Sequence, residues 1–203
     1  MRVKICGVRT AAALEAAAAA DWVGLVFFAR SPRCVTAAEA AALLAGRATP
    51  RRVGLFVAPQ DAEVLDVLRQ VRLDVLQVYA SEARVSALRA LTGLEVWRAV
   101  GVAAQGDLPV ATAADALVVE SQPPAGADRP GGNARAMDWG LTRGWAAPVL
   151  WLLAGGLTPG NVAQAVARSG AAAVDVSSGV ESAPGRKDAA LIREFIDAAR
   201  GSG

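Results

Sequence analysis

Short runs of β-branched and apolar residues alternate with longer Ala/Leu-rich segments from one end of the chain to the other. The runs predict buried strands at 2–6, 22–28, 52–57, 73–78, 95–100, 115–120, 149–153 and 172–176. Between them, segments such as 36–46, 60–71, 81–92, 159–169 and 188–200 carry a helical pattern. Thr36, Ser81 and Thr158 stand where N-caps belong, and Pro159 stands at a first helical turn. The fifth and sixth helices are expected to be short or irregular. Ala-rich tracts at 11–20 and 37–45 read as helix propensity in an alanine-biased chain. Eight βα units in 203 residues average about 25 residues each, compact against the roughly 250 residues typical of a closed barrel of eight units. The expected fold is therefore α/β, a single (β/α)8 TIM barrel forming one domain over residues 1–203. A doubly wound open sheet is the alternative. Against it, no G-x-G-x-x-G follows the first strand, and eight even units favour closure.

Barrels of this kind carry their sites at the C-terminal ends of the strands, and those ends are polar here. In VKIC at 3–6, period two turns Val3 and Ile5 toward the helices and Lys4 and Cys6 toward the interior. Cys6 then sits at the barrel mouth. It reads either as a small buried hydrophobe or as a reactive thiol, with Lys4 on the same face favouring thiolate and Gly7 permitting close substrate approach. Cys34 lacks such support and reads as structural. Glu120 closes the apolar run Leu117-Val118-Val119, and is either a sheltered carboxyl that keeps its proton near neutral pH or a solvated loop carboxylate. Arg33 follows a Ser-Pro turn, as a bidentate binder of a substrate carboxylate or as one more surface arginine. After the seventh and eighth strands, Gly155, Gly156, Ser177, Ser178 and Gly179 offer backbone N–H groups that suit a phosphate; the plainer reading is a tight strand-to-helix turn.

Composition narrows the chemistry further. The chain has 21 Lys+Arg against 19 Asp+Glu and no histidine. A formal charge of +2 gives no broad basic face, so neither nucleic acid nor an anionic membrane is an expected partner. Without histidine, Ser-His-Asp and Cys-His nucleophile pairs and His-bearing zinc sites are excluded, and acid–base work falls to carboxylates, lysine or cysteine. Two cysteines suit a reducing cytoplasm rather than a disulfide scaffold. The opening MRVKICG reads as a strand rather than a leader, so export is not expected. The uncharged-looking stretch 144–167 is interrupted by Pro148, Gly155, Gly156, Pro159, Gly160, Asn161 and Gln164, which argues against a membrane span.

The assembled motifs resemble the phosphoribosylanthranilate isomerase family end to end. The likeness rests on KICG at 4–7, SPR at 31–33, VGLFV at 53–57, LQ at 76–77, PPAGADRPGGN at 123–133 followed by Asp138-Trp139, AGGLTPGNV at 154–162 and VDVSSGVESAPGRKD at 174–188. It implies an Amadori rearrangement of N-(5-phosphoribosyl)anthranilate to 1-(2-carboxyphenylamino)-1-deoxyribulose 5-phosphate in tryptophan biosynthesis, with no cofactor and no metal. It implies Cys6 as general base and Glu120 as general acid, with Arg33 on the anthranilate carboxylate. Gln77, Tyr79 and Asp175 would contact the substrate, and Gly155, Gly156, Ser177, Ser178 and Gly179 would hold its phosphate. The expected assembly is a monomer or weak homodimer. Three positions depart from the family pattern: Glu120 replaces its aspartate, Gln122 its lysine, and Tyr79 the histidine of its Q-L-H-G. These departures raise the alternative of a diverged phosphate-binding barrel with lost or altered isomerase activity. A relative acting on the histidine-pathway aminoaldose would carry an aspartate where this chain has Cys6.

Overall fold

The computed structural model describes residues 1–122, 126 and 137–201. Eight parallel strands close into a barrel in chain order: β1 (Arg2–Cys6), β2 (Trp22–Val26), β3 (Arg51–Val57), β4 (Val75–Tyr79), β5 (Glu95–Val102), β6 (Ala116–Ser121), β7 (Leu150–Leu153) and β8 (Ala173–Val176), with β8 pairing back to β1. The open doubly wound sheet is thereby excluded. Among the described residues six α-helices pack outside: α1 (Ala11–Ala16), α2 (Ala37–Leu44), α3 (Asp61–Leu68), α4 (Glu82–Thr92), α5 (Val162–Ser169) and α6 (Ala189–Arg200). Short 3-10 turns at Gln105–Asp107 and Trp139–Thr142 follow β5 and β6 among the described residues, where short or irregular helices are expected. Among the described residues no helix is long and apolar enough to cross a membrane, and the stretch 144–167 contributes β7 and the start of α5.

Local chemistry explains most helix boundaries. Thr36 and Glu39 form a reciprocal capping box on α2, and Ser81 accepts from Arg84 N at the start of α4. Asp188 accepts from Ala190 N and Leu191 N at the start of α6. The expected cap at Thr158 is not observed. Its N–H instead donates to Asn161 Oδ1 at 2.8 Å, so residues 158–161 form a turn and the helix begins at Val162, leaving Pro159 outside it. Asn161 closes this turn with its own side chain, which is why the Thr-Pro signal points three residues too early.

The period-two reading of the strands holds. Val3 and Ile5 belong to the large apolar layer between sheet and helices, whereas Cys6 packs with Val26 and Leu55 inside the barrel near its mouth. Deeper inside, Trp22 and Trp97 meet edge-to-face at 5.1 Å between ring centroids and fill the lumen with Val53, Val75, Val118 and Leu152. Large rings at the floor and small or polar residues at the top leave space at the C-terminal end of the strands.

Candidate active site

That space is a cavity partly open to solvent, lined by Cys6, Arg33, Gln77, Tyr79, Glu120, Gly155, Gly156, Asp175, Ser177 and Ser178. All the candidate catalytic, substrate-binding and phosphate-binding residues read from the sequence therefore meet in one place except Gly179. A Cβ at Gly179 would lie 1.7 Å from Leu157 O, so this glycine lets the loops after β7 and β8 approach each other rather than lining the cavity itself. Gly155 and Gly156 have φ of +85° and +66°, a left-handed pair that side-chain-bearing residues rarely adopt. Neither glycine N–H has an acceptor among the described residues, leaving both for a ligand. Beside them a single 3-10 turn, Ser178–Val180, follows β8.

Lys4 lies fully buried beneath Cys6 and donates to Asp175 Oδ1 at 2.9 Å. Burial opposes the ammonium charge, but Asp175 and Cys6 outweigh it and hold the Lys4 pKa above its ordinary value. The expectation that Lys4 would leave Cys6 as a low-pKa thiolate needs correction. Burial pushes the Cys6 thiol up, Asp175 adds to it, and the opposing pull of Lys4 and Lys187 does not cancel them. Gly7 also serves differently from expectation: a Cβ there would meet Arg33 Cδ at 2.6 Å, so the close approach it permits is that of Arg33.

Glu120 and Tyr79 form a pair. Glu120 is buried on β6, so the reading of a solvated loop carboxylate does not hold, and the Tyr79 hydroxyl donates to its Oε1 at 2.5 Å. Burial, followed by the Glu120 carboxylate, pushes the Tyr79 phenol well above its ordinary pKa, so it stays a donor. Gln77 is 1% exposed and its Oε1 has no partner among the described residues, an acceptor left open at the cavity wall.

Arg33 is buried rather than a surface arginine. Its Nε and Nη2 donate to the two oxygens of Glu181 at 2.7 and 2.8 Å, leaving the Nη1 end of the guanidinium for another anion. Glu181 and Lys187 were given no role by the sequence reading. They face each other across a small hairpin, β9 (Glu181–Ala183) and β10 (Arg186–Lys187), and the Lys187 ammonium donates to Glu181 Oε1 at 2.7 Å and to Ser177 O at 2.8 Å. The Ala-Pro-Gly turn at 183–185, with opposite charges six residues apart around it, was the available signal. The motif at 123–133 lies outside the described residues apart from Gly126. Cys34 is a half-buried free thiol, and Cys6 is free as well.

A closed barrel that gathers a thiol, a carboxyl group and two anion-suited loops into one cavity at its strand ends has the form of a (βα)8-barrel enzyme acting on a small anionic substrate. The family model described as "N-(5'phosphoribosyl)anthranilate (PRA) isomerase" matches residues 3–198. Among curated relatives, the N-(5'-phosphoribosyl)anthranilate isomerases of Acidiphilium cryptum and Granulibacter bethesdensis are 58% and 52% identical, each comparison covering 98% of both chains. The solved phosphoribosyl anthranilate isomerase of Thermotoga maritima superposes with a TM-score of 0.81 at 31% identity, covering 99% of each chain. A further isomerase structure, in complex with reduced 1-(o-carboxyphenylamino)-1-deoxyribulose 5-phosphate, superposes with a TM-score of 0.79 at 29% identity over 99% of each chain. The chain belongs to the N-(5'-phosphoribosyl)anthranilate isomerase family. It is accordingly an aldose–ketose isomerase of tryptophan biosynthesis.

Proposed function

We propose that Cys6 is the general base and Glu120 the general acid in the rearrangement of N-(5'-phosphoribosyl)anthranilate to 1-(o-carboxyphenylamino)-1-deoxyribulose 5-phosphate. Their presence in one cavity with the open glycine N–H groups of the β7 loop is the observation that carries this reading. The phosphate sits on Gly155, Gly156, Ser177 and Ser178, with Gly179 acting behind them. The anthranilate ring lies against the apolar wall formed by Phe28, Leu55 and Val57, its carboxylate on the Nη1 end of Arg33. Gln77 and Asp175 meet the sugar hydroxyls. Glu120 gives its proton to the furanose ring oxygen as the C1–O bond breaks, and the anilino nitrogen supplies the electron pair that makes the C1 iminium. Cys6, acting through the small thiolate fraction left once its own proton has passed to solvent, then takes the C2 proton, whose electrons neutralise the iminium, and the resulting enolamine tautomerises to the C2 ketone. Tyr79 keeps its proton throughout and orients Glu120.

The reaction as written uses no cofactor and no metal. The enzyme works as one domain in the cytoplasm, as a monomer or weak homodimer. The measurement that tests the residue roles is loss of anthranilate fluorescence as the purified protein converts the substrate, with Cys6→Ser as the comparison. Turnover should fall at least about a hundredfold in the variant while the affinity for a phosphorylated product analogue stays within about threefold. Unchanged turnover would remove Cys6 from the chemistry. Wild-type protein that binds the analogue but does not turn over would instead favour the diverged phosphate-binding barrel.

A further inference from the structure

The substrate proposed above is anionic at both ends, and the residues assigned to those ends come from different loops. Arg33 sits on the connection between β2 and α2, and Ser177 and Ser178 follow β8. One buried carboxylate ties them together. Glu181 Oε1 accepts from Arg33 Nε and from Lys187 Nζ, both at 2.7 Å, and Oε2 accepts from Arg33 Nη2 at 2.8 Å and from Gly185 N at 3.1 Å. Lys187 passes the constraint on, holding Ser177 O at 2.8 Å and Ser177 Oγ at 3.3 Å, while Ser177 Oγ donates to Cys6 O at 3.2 Å. The side chains of Arg33, Glu181 and Lys187 are 7%, 4% and 2% exposed, so water does not stand in for a missing partner. The hairpin is also seated against the Arg33 loop, since a Cβ at Gly185 would meet Pro32 O at 2.4 Å.

We propose that Glu181 is a positioning residue for the isomerase: it braces Arg33 at the carboxylate end and, through Lys187, Ser177 at the phosphate end, and so sets the affinity for both anions. This inference rests on the assignment of the two ends made above. Without the carboxylate that Arg33 and Lys187 share, the two buried cations repel and separate, moving both subsites at once. Burial raises the Glu181 pKa, and Arg33 and Lys187 more than reverse it, so the carboxyl is held below its ordinary value and the brace is charged at neutral pH. Burial likewise draws the Lys187 ammonium below its ordinary pKa, against the pull of Glu181. The hydrogen bonds also separate the two ends: Lys187 donates to Ser177 and Glu181, and Arg33 donates to Glu181 alone of these.

The test uses steady-state turnover of N-(5'-phosphoribosyl)anthranilate, with inorganic phosphate and free anthranilate as competitive probes of the separate ends. Glu181→Gln, nearly isosteric, should raise KM about tenfold or more and weaken both probes, with kcat within about threefold of wild type. Lys187→Met should weaken phosphate and leave anthranilate unchanged. Glu181→Asp should recover part of both losses. If Glu181→Gln does not fold, Glu181→Asp decides by the same two probes. Unchanged KM and unchanged probe affinities in a folded Glu181 variant overturn the brace, as does a loss confined to kcat or to thermal stability. Absence of turnover in the wild type, with phosphate affinity still lost in Glu181→Gln, would sink the assignment of the reaction and not the brace.

Discussion

Tyr79 and Glu120 are best understood together. By sequence Glu120 and Tyr79 are two separate departures from the family pattern, because residues 41 positions apart carry no sign of mutual contact. The structure places the hydroxyl 2.5 Å from Glu120 Oε1, so the two substituted positions meet in one hydrogen bond. If Glu120 is the acid proposed above, Glu120→Asp should lower kcat by up to about a hundredfold, since retracting the carboxyl by about 1 Å breaks this bond and shifts the proton donor. A rise in kcat would show that the longer side chain is misplaced. At Cys6 the sequence shows the attracting lysine but not the burial, and burial wins. In a Cys34→Ser background, alkylation of Cys6 by iodoacetamide should therefore be slow at neutral pH. Its rate should climb about tenfold per pH unit until above the ordinary thiol range, because the thiolate fraction is set by a raised pKa. A rate already on its plateau below pH 8 would contradict that.

Among the elements, alternate strands are joined by one repeated device. Asp21, Asp74 and Asp115 each immediately precede an even-numbered strand. Each accepts the first free amide of the neighbouring odd strand, Val3 N at 2.8 Å, Arg52 N at 2.7 Å and Val96 N at 2.9 Å, while its own N–H donates back to the carbonyl of that same residue. Backbone groups at the barrel floor that would otherwise face solvent or the Trp22–Trp97 layer are satisfied this way, and the register of three strand pairs is fixed. Asp74→Ala should cost about 1.5 kcal/mol, the worth of a charge-assisted hydrogen bond, lowering Tm by roughly 3–6 °C without changing KM. A change within the error of a denaturation curve would make the device ornamental. The strands, the caps at Thr36 and Ser81 and the barrel order were legible because each rests on local periodicity or on side chains within a few residues. The aspartate device was not, since a lone Asp before an apolar run reads equally as a turn residue. The start of α5 was misplaced for a related reason: Asn161 reaches backward to Thr158, and sequence gives no direction to an Asx contact.

At the scale of the whole molecule, the barrel is unevenly sewn. Neighbouring strands elsewhere share three to six residues in register, whereas β7 and β8 share the single pair Leu153 and Val174. The weakest seam thus lies between the two strands whose loops carry the glycine N–H groups and the Ser177–Ser178 turn, and the loops above it are packed tightly enough to require Gly179. On the phosphate assignment proposed above, a ligand bridging the two loops adds contacts where the ladder is short, and the free energy of binding appears as local stability. At a hundredfold excess over Kd this amounts to about 2.7 kcal/mol. Hydrogen exchange should accordingly find the amides of β7 and β8 opening before those of β4 and β5 in the free enzyme. Saturation with a phosphorylated product analogue should slow exchange at 152–156 and 174–180 by up to about a hundredfold while leaving β4 and β5 nearly unchanged. Uniform protection around the barrel would mean that the seam is no weaker than its neighbours and that the ligand stabilises the closed sheet as one unit.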